Sequence, residues 1–593
     1  MKRASPPKPL MAALLFGAMA LLAGACSRPD AAGSAASAAA PAAPEPVPAP
    51  AGWLADVMVA RPKLSWAKVR AAAGELAGLI PATPGALVVT AAGLGVEALP
   101  LVDEDLPVVG ALADAVGAGP GGRSSAATGA PAAASAAAEV LGVIGVHVRS
   151  GSGLVAALTA GAQARFAAQP ADSAGLVRLR RKGEPVVAGP TAVGAAIGVL
   201  DNYLLFGSSE RALGALGPYV ARTASRQPPA HEDLVIQVGE AALHGPIQER
   251  VERALGKLDP RRWLPALAAV ADVKAVGATL RGVLADAKAA RLALELDAAG
   301  ARLGLELEPS SPEAGRRFAA GGLVTPAVLL DLPDDSLLGA AWSEAGEGRA
   351  DRARSSARSV IAALGRDLPA EVGAELGEAL AALSAGRGDR TVAGLRCTGE
   401  GLTGFVHGTV ADAGKLSGGL DRLLGLRRRG AVAKLLAASG LRLQTAKLRM
   451  DGLAAPVTRL RLLPPRQAER TDAPEPIDVL LAVAQDRFVA AAGMSARETL
   501  GRIHKPDAQR SLGASPAFAR LVESLGKEAW AAVLADPLAT VACRAGRPRT
   551  TAAAPVLLAA GASGSAGDTK AWLRLDVSVA VIRAIVAQRD VLW

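Results

Sequence analysis

Residues 291–308 alternate between apolar and polar side chains, and that period commits the chain to a fold with antiparallel strands. Leu292, Leu294 and Leu296 fall on one side of an extended segment, with Glu295 and Asp297 on the other. Asp297-Ala298-Ala299-Gly300 supplies a turn, and Leu303, Leu305 and Leu307 return on one side. The pattern predicts a hairpin with one buried face. Residues 194–207 make a second hairpin, turning at Asp201-Asn202. Residues 555–579 make another, where Leu573, Leu575 and Val577 alternate with Arg574 and Asp576. Helical signals lie between. Ser65 is placed to cap a helix running to Ile80, and Asp367 with Pro369 to open one ending near Ser384.

The order of elements recurs. Val146-His147-Val148-Arg149-Ser150 leads into a helix carrying Leu154 and Leu158, and Thr409-Val410-Ala411-Asp412 into one carrying Leu416 and Leu420. Ser150 and Asp412 fall at matching N-cap positions. The hairpin at Asp201-Asn202 matches one at Gln485-Asp486. Residues 232–236 match 528–532, and the hairpin 291–308 matches 555–579. The expected fold is therefore α+β: two similar halves, each an antiparallel β-sheet built from hairpins with helices packed on one face. Residues 53–309 form the first half, with a flexible Gly/Ala/Ser loop at 117–138. Residues 310–390 form a mainly helical connector, and residues 391–593 the second half.

The N-terminus carries an address. Lys2, Arg3 and Lys8 precede an uncharged apolar run from Leu10 to Leu22, and Ala23-Gly24-Ala25 precede Cys26. This layout resembles the signal peptide and lipobox of bacterial lipoproteins. The resemblance implies cleavage after residue 25, lipidation of Cys26 and a membrane anchor. Ser27 stands where an Asp would signal inner-membrane retention, which implies the outer membrane of a Gram-negative envelope. Residues 26–52 are mostly Ala, Pro and Ser, and read as a disordered tether. Beyond the signal, the layout resembles large bacterial envelope lipoproteins built from repeated hairpin-helix units, a resemblance that implies no particular activity.

Residues 1–25 hold three basic and no acidic groups, so the net charge falls from +10 to +7 on cleavage. The excess is spread out and does not suggest nucleic-acid binding. The clusters Arg178 to Lys182 and Arg427 to Arg429 read as solvated termini or as contacts for anionic headgroups. Hydrophobic residues make up 51% but aromatics only 3%, which leaves few flat platforms for sugars, bases or planar cofactors. No later segment is apolar over the roughly 18 residues a spanning helix needs. Cys397 and Cys543 each sit in a strand-like run and read either as a disulfide or as two buried thiols.

Several chemical motifs fail on their partners. Gly117-Ala118-Gly119-Pro120-Gly121-Gly122-Arg123-Ser124 nearly fits a phosphate-binding loop, but Arg123 replaces its lysine and Pro120 removes an amide donor. Ser65-Trp66-Ala67-Lys68 fits S-x-x-K, yet S-D-N and K-T-G are both absent from the sequence. His147, His231, His244, His407 and His504 have no recognisable zinc spacing. His147 and His407 both end Val-His steps, but fall out of register when their following helices are aligned. Asp103-Glu104-Asp105 and Asp334-Asp335 lack calcium-loop order and read as solvated turns. No cofactor, nucleotide or metal is implied. The expected role is that of a non-enzymatic structural or interaction protein held to a membrane through Cys26, its partner another envelope protein. The alternative is a periplasmic carrier of lipids or other hydrophobic ligands, and a third reading is a hydrolase with a cryptic site.

Overall fold

The computed structural model describes residues 44–587 except 116–139, 161–163, 184–195, 250–280, 320–321, 345, 347, 364–368, 439–441, 454, 464–475, 527–528, 547–552 and 566–567. The signal segment, Cys26, the loop 117–138 and Asp367 lie outside the described residues. The chain is mixed α+β, its paired strands antiparallel, and divides into two compact units.

The first unit lies within Met1–Gln248, Ala287–Leu307 and Ile582–Trp593. Its elements are β1 (Trp53–Val59), α1 (Pro62–Ala73), α2 (Pro84–Ala92), β2 (Val108–Asp114), β3 (Val140–His147), α3 (Gly151–Thr159), β4 (Phe166–Ala168), β5 (Val177–Arg181), β6 (Ala196–Leu200), β7 (Tyr203–Gly207), α4 (Glu210–Arg222), β8 (Leu234–Gly239), β9 (Ala287–Leu296) and β10 (Gly300–Pro309). Pairing gives the strand order β4-β5-β6-β7-β3-β2-β1-β8-β9-β10. The turn at Asp201-Asn202 is made by Asp201 at φ 51°, a conformation that short polar residues tolerate.

Helices cover both faces of this sheet, not one. On one side Met58, Val109, Ala111 and Leu205 meet Leu213, Leu216 and Val220 of α4. On the other, Val146, Leu179, Ile197, Val199 and Leu204 meet Val89 of α2 and Leu154 of α3. Helix α1 starts at Pro62, three residues before Ser65, so Ser65 does not cap it. The expected run to Ile80 breaks at Gly74 (φ 57°) into a 3-10 segment. The described end of the tether is held in place. Val47 N–H donates to Thr223 Oγ1 at 2.8 Å, and that hydroxyl donates back to Val47 O at 2.5 Å.

The second unit lies within Glu249–Asp286 and Glu308–Val581. Its elements are α5 (Pro312–Ala319), β11 (Ser336–Ser343), α6 (Arg349–Ala363), α7 (Ala370–Gly386), β12 (Arg387–Thr398), β13 (Gly401–Val410), α8 (Ala413–Gly425), α9 (Gly430–Ala438), β14 (Arg442–Leu448), β15 (Val457–Leu463), β16 (Ile477–Val483), β17 (Arg487–Gly493), α10 (Ala496–His504), α11 (Pro516–Glu523), β18 (Ala531–Ala535), α12 (Pro537–Arg544), β19 (Val556–Ser563) and β20 (Lys570–Ser578). The strand order is β14-β15-β16-β17-β13-β12-β11-β18-β19-β20. Residues 310–390 are thus more than a helical connector, because they supply β11, which pairs with both β12 and β18. One face of the sheet carries Val392, Phe405, Val489, Leu534 and Trp572, buried against Leu500 of α10 and Phe518 of α11.

Candidate functional site

The polar motifs of the sequence are tied up in structural contacts. Ser65 and Lys68, one helical turn apart on α1, both meet Asp233, which is fully buried just before β8. Ser65 Oγ donates to Asp233 Oδ1 at 2.7 Å. Lys68 Nζ lies 2.8 and 2.7 Å from the two carboxylate oxygens, and Leu296 N–H donates to Oδ2 at 3.0 Å. Three donor groups, making four hydrogen bonds, satisfy one buried carboxylate, and neither Ser65 nor Lys68 faces solvent. The S-x-x-K residues thus latch α1 to β8 and β9.

The acidic loops are likewise engaged rather than merely solvated. Asp103 Oδ2 lies 3.3 Å from His147 Nδ1, whose ring meets Tyr203 edge-on at 5.3 Å. Asp335 is gripped by the fully buried Arg396 through Nε at 2.7 Å and Nη2 at 2.6 Å. Arg396 Nη1 reaches Thr499 Oγ1 at 2.6 Å, clipping α10 to β12. Arg502 adds a bond to Asp334 at 2.6 Å. No group of three His, Cys, Asp or Glu among the described residues is placed to hold a metal ion.

His407 lines a cleft of about 360 Å³ with Asp331, Arg390, Thr409, Asp486 and Arg487. Burial, helped by the Arg487 guanidinium, pushes its imidazole down to about 4. A group so weakly basic is poorly matched to general-base work near neutral pH.

Cys397 and Cys543 are joined by a disulfide, with Cα atoms 6.2 Å apart. Cys397 lies on β12, but Cys543 lies on helix α12, not on a strand. The helix start was present in the sequence: Asp536 Oδ1 accepts from Ala539 N–H and Pro537 occupies the first turn.

The distinctive feature of the second unit is the other face of its sheet. In an antiparallel sheet with one covered side, the opposite side normally carries polar residues. Here it is largely aliphatic and only partly covered: α8 touches β16, the disulfide ties α12 to Cys397 on this side, and Phe488, Thr391 and Thr458 are buried on it. Register places Leu575, Leu558, Val533, Ala340, Ala393, Val406, Ala490 and Leu481 in one row across eight strands. All eight are half-buried or exposed, whereas their buried neighbours in sequence point to the core face. A parallel row runs through Leu338, Leu395, Gly404, Ala492, Val479 and Leu460. Leu402 is 53% exposed, Ile477 47%, Leu558 40% and Leu573 41%, all on this side. Such exposure forfeits much of the 1.5–3 kcal/mol that full burial of each large aliphatic side chain contributes. Extended apolar surface of this kind marks an interaction site.

At the β14 edge both rows end in cations. Arg427, just after α8, donates to Thr445 Oγ1 at 2.7 Å, and Lys447 Nζ donates to Thr458 Oγ1 at 2.8 Å. Thr445 stands opposite Leu460 at the end of one row, and Thr458 opposite Leu481 in the other.

No family model matches the chain, and no curated protein matches it. A solved structure, titled crystal form IV of TP0453, is similar at 12% identity with a TM-score of 0.20, covering 45% of this chain and 97% of that one.

Proposed function

We propose that this chain is a non-enzymatic, lipid-anchored protein of a Gram-negative envelope, whose second unit receives acyl chains on the open face of its sheet. The carrier reading is preferred over a purely structural role because that face is mostly aliphatic and keeps Leu402, Ile477, Leu558 and Leu573 exposed, opposite a filled core. The test is quenching of tryptophan fluorescence by a brominated long-chain fatty acid. Leu402→Ser combined with Leu558→Ser should weaken the quenching about tenfold or more. Both side chains are exposed, so stability should stay within about 0.5 kcal/mol. Full quenching in that variant would sink the reading.

The anchor rests on the basic n-region, the apolar run and Cys26. Cys26→Ala should move the protein from the membrane fraction to the soluble fraction or leave its signal uncleaved. A processed, membrane-bound variant would refute lipidation.

We infer also that the two units descend from one duplicated module. In support, adding ten to each strand label of the first unit reproduces the order of the second. Backbone hydrogen bonds correspond as well. Ala60 N–H to Asp233 O matches Ser343 N–H to Trp530 O, and Val148 N–H to Asn202 O matches Val410 N–H to Asp486 O. These pairs align Asp233 with Trp530, one residue away from the alignment read from sequence, and His147 with Thr409 rather than His407.

A further inference from the structure

We propose that the cleft at His407 binds a free amino acid with an aliphatic side chain. Arg487 and His407 take its carboxylate, and Asp486 and Asp331 its ammonium. Leu332, Val392 and Ile503 hold its side chain. The cleft lies on the core side of the second unit's sheet, so the inference goes beyond the acyl-binding reading.

Strand ends build the cleft. Register sets Thr409 of β13 opposite Arg487 of β17, and His407 opposite Val392 of β12. Ile503, near the end of α10, and the 3-10 segment Pro326–Asp331 close the walls. Leu332, Val392 and Ile503 are buried and form an apolar floor. Asp331, Arg390, Thr409 and Asp486 are exposed at the rim.

The charges of this cleft are left without partners. Nearby, Arg396, Arg459 and Arg502 are each matched to a carboxylate. Asp331, Asp486, Arg390 and Arg487 make no salt bridge among the described residues. Arg487 Nη2 donates to Ile503 O at 3.0 Å and lies 3.5 Å from His407 Nδ1. Burial holds the Arg487 guanidinium below its ordinary value despite the attraction of Asp486 and Asp331. A half-buried cation whose lost hydration is not replaced favours an incoming carboxylate, which arginine can bind through two parallel hydrogen bonds. The approach of Arg487 to Nδ1 favours the His407 proton on Nε2, which has no hydrogen-bond partner among the described residues.

Charge decides the class of ligand. Two arginines and two aspartates line the cleft, and His407, pushed down to about 4, is neutral near pH 7. A phosphate would meet two carboxylates, and a simple amine two guanidinium groups. A zwitterion finds opposite charge at both ends. The volume of about 360 Å³ lies at the small end of ligand pockets, roughly 300–1,000 Å³, and suits a single amino acid. The first unit lacks the site. The backbone bonds that match Val148 with Val410 and Asn202 with Asp486 put Gly145 at the position of His407 and Tyr203 at that of Arg487. A Cβ on Gly145 would lie 2.9 Å from Val220 Cγ1, so α4 already fills that position.

The experiment is isothermal titration calorimetry of the full chain carrying Cys26→Ala. The probes are leucine, 4-methylpentanoate, which lacks the ammonium, and 3-methylbutylamine, which lacks the carboxylate. Leucine should bind once per chain, and each analogue about tenfold more weakly or worse. Arg487→Gln should weaken leucine by about tenfold or more. Asp486→Asn with Asp331→Asn should bring leucine and 4-methylpentanoate to equal affinity. Both aspartates are exposed, so this variant keeps its fold and tests the proposal even if Arg487→Gln does not fold. Arg497→Gln, exposed on α10 and outside the cleft lining, should change nothing. Absence of leucine binding, or equal binding of 4-methylpentanoate by the unaltered cleft, would overturn the proposal. Inorganic phosphate binding more tightly than leucine would make the cleft an anion site and overturn it too. Fatty-acid quenching reads the other face of the sheet and is independent of each of these outcomes.

Discussion

Asp233→Ala should destabilise the first unit by about 3–5 kcal/mol, because it strands a buried ammonium. Lys68 has 8% of its side chain exposed and Asp233 1%, and the carboxylate accepts four hydrogen bonds from three donor groups. Removing it leaves Lys68 without its counter-ion and the Ser65 hydroxyl and Leu296 amide without acceptors. The control is Asp233→Leu with Lys68→Met, which removes both charges and should recover most of the loss. Urea unfolding monitored by probes within the first unit measures both, since a two-unit chain need not unfold in one step. A loss below about 1 kcal/mol for Asp233→Ala would show that the latch is weak.

Replacing both Cys397 and Cys543 with alanine should cost the second unit about 5 kcal/mol. The bond closes a loop with a sequence separation of 146, and the chain-entropy estimate grows with the logarithm of that length. The bond also pins α12 against β12, so the variant should expose α12 first. Unfolding of the oxidised, reduced and alanine-substituted chains measures the effect. Reduction and substitution should agree, and indistinguishable stability of all three would show that the bond constrains nothing.

The hairpins were legible because alternation and turn chemistry agree: Asp201-Asn202, Asp297 to Gly300 and Gln485-Asp486 all turn where their residues predict. Strand β11 was missed. Its sequence, Ser-Leu-Leu-Gly-Ala-Ala-Trp-Ser, is apolar on both sides and has no period to read. The same property hid the candidate site. Leu338, Val406 and Leu558 look like core residues in sequence, and only the register of the strands reveals that they lie on the side opposite the filled core, where part of the aliphatic surface is exposed. The Asp233 latch was illegible for another reason. Its carboxylate lies 168 residues from Ser65, and S-x-x-K by itself does not specify a partner. Cys543 was misplaced on a strand because the β-branched run Thr540-Val541 outweighed the Asp536-Pro537 helix start.

The most direct test of the open face uses Trp342, half-buried on that side in a row with Ala531, Ala560 and Leu573. Trp572 is buried on the opposite face and serves as an internal reference. Brominated fatty acid should quench the wild-type fluorescence, and Trp342→Phe should remove the quenched component while leaving the Trp572 signal unchanged. Undiminished quenching in Trp342→Phe would place the bound chain elsewhere and contradict the account.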